Sequence, residues 1–238
     1  MRKIFTITLI LNISFFSQAQ VLKNPGIADN ESFEISDFID NKTGFVTSTI
    51  HIGLVEKSGR KYYKIDVNEG NLFSDEIEIN YSDLTTTIEK RTDLRSKSLV
   101  ELYSNAGNNI VHFVNTEKKI NKNFSDKDKN IYTRYAYFVA FRGFPFKIGN
   151  SVTFRTYMFE YGGALTMKLT NTAVKKITVK AGSFDCYKLE LEVVGWQSFF
   201  VSGKFCLYYA VELPHIFVKY EEYDDGKWNS NELLRIIK

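Results

Sequence analysis

Cysteine, histidine and proline are scarce in this sequence, which holds two cysteines, three histidines and three prolines in 238 residues. The histidines, at positions 51, 112 and 215, have no ligand-like spacing to a cysteine, so we predict no metal site. The sequence lacks a G-x-S-x-G nucleophile motif and a glycine-rich phosphate loop, and no histidine is placed beside an evident nucleophile. We therefore expect no catalytic residues, no cofactor and no enzymatic activity.

Long apolar runs are also missing, except at the beginning of the chain. Met1-Arg2-Lys3 precedes the apolar stretch IFTITLILNISFF, which is followed by SQAQ. A basic start, a short apolar stretch and small residues predict a signal peptide over residues 1–19, cleaved between Ala19 and Gln20. An uncleaved anchor is the alternative. We expect residues 20–238 to be periplasmic or secreted, with no transmembrane segment after signal removal.

No large excess of charge of either sign is present. The full chain has 31 basic and 28 acidic residues, and removing residues 1–20 removes Arg2 and Lys3, which leaves 29 against 28. Such a balance gives no general attraction to nucleic acid, so we expect no nucleic-acid partner.

The two cysteines lie on neighbouring predicted strands, SFDCYKLELEV and GKFCLYYAV. If the hairpin between the strands is centred near Trp196, Cys186 and Cys206 face each other across the ladder. An exported protein meets oxidising conditions, which permit a disulfide between them. A shifted register would leave two packed free thiols instead, and both possibilities stay open.

Most of the chain from Gly44 onward alternates apolar and polar residues in short runs, separated by Asn, Asp and Gly. The runs predict about eleven β-strands joined mostly by short turns, and therefore a mainly β protein with an antiparallel sheet. Asp224-Asp225-Gly226 is a hairpin-turn signal. One face of such a sheet must be covered, or the sheet must curl on itself. We read residues 20–238 as one domain.

An aromatic segment at residues 132–146, YTRYAYFVAFRGFPF, is the best helix candidate. Apolar residues at helical spacing, with Ser125 as a start signal and Gly143 and Pro145 as a stop, predict a short helix. A helix that is apolar on several sides is normally buried. We expect it to pack in the concave face of the curled sheet.

The C-terminal half contains the segments ITVKAGSFDCYKLELEV, GKFCLYYAVELPHIFVKYEE and NELLRI. With these segments it resembles the exported bacterial family called domain of unknown function 3108, and the matching residues are Gly182, Phe184, Cys186, Pro214, Val218, Tyr220 and Glu221. A second cysteine, Cys206, departs from the family pattern. We also read Gly182 as a turn residue with positive φ.

The resemblance implies a fold similar to the periplasmic lipoprotein carriers, a half-open antiparallel β-barrel with helical material in its mouth. Carriers of that shape bind acyl chains in the concave face, and the family itself implies no activity. By this analogy of fold we expect a non-enzymatic protein that binds an apolar ligand, such as a lipid or an acyl chain, in the concave face. The candidate ligand-binding residues are Tyr135, Phe138, Phe141, Phe144, Phe146 and Trp196. The alternative is a structural module whose groove is filled by its own helix and which contacts an envelope protein.

Overall fold

The computed structural model describes residues 22–40, 44–105, 110–125, 131–158, 163–199, 203–224 and 226–237. The signal peptide predicted at residues 1–19 lies outside these ranges. The described strands are β1 (Glu31–Asp40), β2 (Gly44–Lys57), β3 (Arg60–Glu69), β4 (Phe73–Asn80), β5 (Thr86–Asp93), β6 (Leu99–Asn105), β7 (Ile110–Asn115), β8 (Ile120–Ser125), β9 (Ser151–Met158), β10 (Gly163–Val179), β11 (Gly182–Val193), β12 (Lys204–Ala210), β13 (Phe217–Asp224) and β14 (Lys227–Ile236). A helix, α1 (Tyr137–Ala140), precedes β9 and continues into a 3-10 turn at Phe141–Gly143.

All fourteen strands belong to one antiparallel sheet, ordered β8-β7-β6-β5-β4-β3-β2-β1-β14-β13-β12-β11-β10-β9. The edges β8 and β9 are not paired into a ladder, so the sheet is not closed into a barrel. Side chains nevertheless meet across the gap, because the rings of Phe124 on β8 and Tyr157 on β9 lie 6.0 Å apart. The sheet is therefore strongly curled, as the sequence predicted.

The strand count was predicted too low, at about eleven rather than fourteen. The prediction began at Gly44 and so missed β1, where Phe33 and Ile35 are buried. Residues 120–125 form β8, an edge strand with few large apolar residues and therefore a weak strand pattern in the sequence. In the opposite sense, the two alternating runs ALTMKLTN and VKKITV lie on one long strand, β10, and not on two.

The inner face of the sheet carries the core, because side chains on a strand alternate between its two faces. On β2 and β3, the cross-strand pairs Ile50–Val67 and Ile52–Ile65 are fully buried. Between β10 and β11, Gly182 has a φ of +140°, which confirms the positive φ predicted at this turn.

The aromatic segment lies inside the curled sheet, with all four residues of α1 buried. Tyr209 of β12 donates a hydrogen bond to the carbonyl of Tyr137 at 2.7 Å, and the rings of Phe138 and Phe217 are 4.5 Å apart. The predicted packing in the concave face is therefore confirmed.

The helix is much shorter than predicted, because its expected first turns pair with strands instead. Ser125, expected as the start signal, ends β8, and residues 126–130 lie outside the described ranges. The Ile131 carbonyl accepts a hydrogen bond from Thr86 N at 2.8 Å, and Tyr132 N donates to the Arg155 carbonyl at 3.0 Å. The predicted stop at Gly143 is correct.

Cys186 and Cys206 are free and buried, so the disulfide considered from the sequence is not formed. Cys186 lies opposite Ala210, and Cys206 lies opposite Glu190. This register centres the β11–β12 connection near Ser198, not Trp196, which moves the two sulfurs apart along the ladder. Burial raises the pKa of the Cys186 thiol to about 12, so it stays protonated.

Among the described residues, no helix combines the length and apolar character needed to cross a membrane.

Candidate functional site

The aromatic segment leaves part of the concave face unfilled. A cavity of about 320 Å³ lies between this segment and the inner faces of strands β9 to β14. Most of its wall is apolar or aromatic, formed by Tyr137, Phe138, Leu165, Met167, Leu191, Val193, Phe205, Leu207 and Tyr220. The remaining lining residues are Arg134, Thr156, Glu222 and Asn231. An apolar wall with a few polar groups is the usual composition of a small-molecule site. We call this space the apolar cavity.

Of the six candidate ligand-binding residues, only Phe138 lines the apolar cavity. Tyr135 lines a second cavity on the other side of the segment. Phe141 and Phe144 are buried, and Phe141 packs against Phe154 with ring centroids 5.1 Å apart.

The last two candidates, Phe146 and Trp196, lie at the periphery. Phe146 is partly buried, and its ring stacks on the ring of Tyr187 with centroids 4.4 Å apart. The centre of the His215 ring lies 4.5 Å from that of Phe146. Trp196 is 71% exposed, in the 3-10 turn Gly195–Phe199 that follows Val193 of the cavity wall. The structure therefore separates the six residues into core, rim and two different cavities.

The cavity wall contains residues that the sequence analysis did not name. Met167 and Leu191 alternate with polar neighbours along their strands, so their inward orientation could have been predicted. Leu207 lies between the buried residues Cys206 and Tyr208, so its orientation has no such signal. That these side chains surround an unfilled space could not have been predicted, because the space depends on how far the short α1 extends over the sheet.

The second cavity, of about 390 Å³, has a more charged wall that includes Arg91, Asp93, Glu117, Lys118 and Arg134. We call it the polar cavity.

Arg91 of the polar cavity is held by two fully buried carboxylates, those of Glu69 and Asp75. Its Nη1 donates to Glu69 Oε1 at 2.6 Å and to Asp75 Oδ2 at 2.7 Å, while Nη2 donates to Glu69 Oε2 at 3.1 Å. The guanidinium also lies 4.8 Å from the ring centre of Tyr135. These contacts compensate the cost of burying the charges, and they occupy the Arg91 guanidinium with partners inside the protein.

Two further buried carboxyl groups, those of Asp37 and Glu89, have raised pKa values. Burial raises the pKa of Asp37 to about 6, and burial raises the pKa of Glu89 to about 7. The Thr133 hydroxyl near Glu89 lowers the pKa of Glu89 and so partly offsets the effect of burial. Neither carboxyl oxygen of Glu89 accepts a hydrogen bond of normal geometry. Within the described ranges, no group of three or more His, Cys, Asp or Glu side chains could hold a metal ion.

Arg134 lines both cavities, and among the described residues it alone is common to their two walls. It immediately precedes Tyr135, near the beginning of α1, and its side chain is exposed. In the described part of the chain it makes no hydrogen bond or ion pair through its guanidinium, which lies 5.9 Å from the ring centre of Tyr135.

One histidine does lie beside a hydroxyl group, which the sequence analysis did not anticipate. Ser32 Oγ and His51 Nδ1 are 2.7 Å apart on neighbouring strands β1 and β2. The pair is exposed, and neither residue lines either of the two cavities. We read it as a cross-strand hydrogen bond on the outer face of the sheet.

Comparison with known proteins adds little. No family model matches the chain, and no curated relative was found, so the resemblance to the domain of unknown function 3108 family stays a prediction.

Three solved structures align with most of the chain. A β-barrel-like protein of domain of unknown function 1849 from Brucella abortus is 6% identical, with a TM-score of 0.45, over 88% of this chain and 98% of its own. A Bacteroides fragilis protein with a YmcC-like fold, named as exported, is 12% identical with a TM-score of 0.36, covering 92% and 100%. A Parabacteroides distasonis protein named as a lipoprotein is 14% identical with a TM-score of 0.36, covering 91% and 99%. At such low scores we infer nothing from them about this chain.

Proposed function

We propose that this protein binds an apolar ligand, such as a lipid acyl chain, in the apolar cavity. The observation that supports this proposal is the space of about 320 Å³ that the aromatic segment leaves beside Phe138, with mostly apolar walls. The proposed role is binding without catalysis. The proposed location, periplasmic or extracellular, depends on the signal peptide predicted from residues 1–19.

The size and wall of the cavity suit an acyl chain. An engineered apolar cavity of ~150 Å³ already takes up benzene, and ligand sites in proteins begin at ~300 Å³. Each methylene group buried against Met167, Leu191 and Leu207 contributes ~0.8 kcal/mol, so a chain can bind with few polar contacts.

The proposal can be tested with N-phenylnaphthylamine, an apolar dye whose fluorescence rises in an apolar environment. We expect saturable binding by the wild-type protein and binding weakened by about tenfold in Met167→Trp, because the larger side chain occupies the cavity. Val174→Trp is the matched control, since Val174 is on the same strand but 48% exposed. It should bind the dye like wild type.

No fluorescence gain with the wild-type protein would overturn the proposal and leave the alternative of a module with a filled groove. Equal binding by wild type and Met167→Trp would place the dye elsewhere and would equally count against this cavity. Circular dichroism and thermal unfolding confirm that each variant is folded before it is compared.

A further inference from the structure

The apolar cavity has two oppositely charged residues in its wall, Arg134 and Glu222. They do not form an ion pair with each other: among the described residues, neither has an ion-pair partner within 4 Å. Glu222 accepts one hydrogen bond, from the Tyr220 hydroxyl at 3.2 Å, and it is half-buried. Both side chains line the same cavity, yet their charged atoms are more than 4 Å apart, so a gap separates the two charges.

Several other polar groups near this wall are already engaged. Asn231 donates to Asp37 Oδ1 and accepts from Phe38 N at 3.1 Å. Ser48 donates to the second Asp37 oxygen at 3.2 Å. Because Arg91 is held by Glu69 and Asp75, it is not available either. Arg134 and Glu222 are thus the charged residues of the apolar cavity that are left to receive polar groups from outside the protein.

We propose that the apolar cavity takes a single-chain zwitterionic amphiphile, with the anionic part of its head at Arg134 and its ammonium group at Glu222. This inference rests on the proposed function and names the class of ligand. The chain would lie along Met167, Leu191 and Leu207, and the head would bridge the gap between the two charges. A lysophospholipid with a phosphoethanolamine head has both the charges and the single chain.

A ligand with a single charge fits this wall less well. A fatty-acid carboxylate would pair with Arg134 but would bring a like charge toward Glu222 and Asp37. An alkylamine would pair with Glu222 and approach the Arg134 guanidinium. In a partly water-excluded site, like charges brought together lower affinity, whereas complementary charges select the partner.

The test compares four ligands with the same chain length, each displacing N-phenylnaphthylamine below its micelle-forming concentration. The ligands are dodecanol, lauric acid, dodecylamine and lauroyl lysophosphatidylethanolamine. They are measured against wild type, Arg134→Gln, Glu222→Gln and the control Arg60→Gln, which removes an exposed charge in the β2–β3 turn region.

We expect wild type to bind the lysophospholipid at least about tenfold more tightly than the other three ligands. Arg134→Gln should bind the lysophospholipid with about tenfold lower affinity than wild type but should not lose affinity for dodecylamine. Glu222→Gln should bind the lysophospholipid with about tenfold lower affinity but should not lose affinity for lauric acid. Binding of dodecanol should be the same in all four proteins, which also shows that the variants are folded. Arg60→Gln should behave like wild type.

Equal affinity of wild type for the lysophospholipid and dodecanol would overturn the inference while leaving the proposed function standing. Tighter binding of lauric acid or of dodecylamine than of the lysophospholipid would overturn it as well, in favour of a ligand with one charge. Failure of all four ligands to displace the dye, or to bind by calorimetry, would reject the proposed function itself.

Discussion

Arg142 and Glu31, 111 residues apart in the chain, form a buried bidentate ion pair. Arg142 Nη1 donates to Glu31 Oε1 at 2.7 Å, Nη2 donates to Oε2 at 3.0 Å, and Nε donates to the Pro214 carbonyl at 3.0 Å. The guanidinium thereby ties the end of the aromatic segment to β1 and to the turn before β13. This connection anchors the end of the aromatic segment inside the curled sheet.

We predict that Glu31→Gln destabilises the protein by about 3–5 kcal/mol, because it leaves a buried guanidinium without its counter-charge. Denaturant unfolding at neutral pH measures the change. The matched control is Glu34→Gln on the same strand, which removes the partner of Arg235 in an exposed ion pair. Exposed pairs contribute little, so the control should unfold close to wild type. An equal loss in the free energy of unfolding in both variants would contradict the prediction that the buried ion pair contributes more than the exposed one.

Gly143→Ala should lower stability by about 1–3 kcal/mol through overpacking. A Cβ atom at this position would lie 2.6 Å from Leu84 Cδ1 and would also overlap the Lys23 carbonyl oxygen. That oxygen belongs to backbone which is itself fixed, because Lys23 N donates to the Gly143 carbonyl at 3.0 Å. Thermal unfolding is the measurement. Gly53→Ala, where an added Cβ meets nothing within 4 Å, is the control and should show a clearly smaller loss.

Stability should fall as pH rises from about 4.5 to about 7, with Glu89 as one cause. Its raised pKa means that the folded state holds a proton that the unfolded state has released, and the slope for one such group reaches about 1.4 kcal/mol per pH unit. Glu89→Gln, which mimics the protonated carboxyl, should therefore flatten this pH dependence and raise stability above pH 7.

Denaturant unfolding of wild type and Glu89→Gln between about pH 5 and pH 8 measures this difference. Glu192→Gln on an exposed position serves as the control and should follow the wild-type curve. A constant difference between wild type and Glu89→Gln across this range would contradict the assignment.

Both cysteines should remain thiols in the exported protein. Their sulfurs belong to positions opposite Ala210 and Glu190, so the native register does not bring them together. An alkylating reagent should modify neither residue in the folded protein and both after unfolding, as intact mass shows. A mass lower by two hydrogens, and no labelling after unfolding, would show that the disulfide forms despite this register.

The sequence was sufficient to predict the type of fold, because the alternation of apolar and polar residues that indicates a strand can be seen within a short segment of sequence. Ile50 and Ile52, for example, alternate with polar residues whether or not their partner strand is known. β8 was missed because Ile120 and Phe124 are the only large apolar residues of this edge strand. The first turns of the predicted helix were wrong because Ile131 and Tyr132 pair with β5 and β9, and such long-range hydrogen bonds override local helical spacing.

The site was harder to predict than the fold. The rings of the aromatic segment identified the concave face correctly, yet Phe141 and Phe144 became core rather than cavity wall. Whether a ring lines a space or fills one depends on packing between distant elements, which residue type does not encode. Arg134 and Glu222 gave no signal for the same reason, since they are 88 positions apart in the sequence and share a cavity only after folding.

The position of a bound chain tests the central claim most directly. Crystals of the protein grown with a dodecanol brominated at its far end would reveal the chain end through the anomalous scattering of bromine. We predict a bromine peak among Met167, Leu191 and Leu207, with Phe138 covering the chain. Electron density in which these side chains close the space completely, with bromine absent from it, would contradict the account.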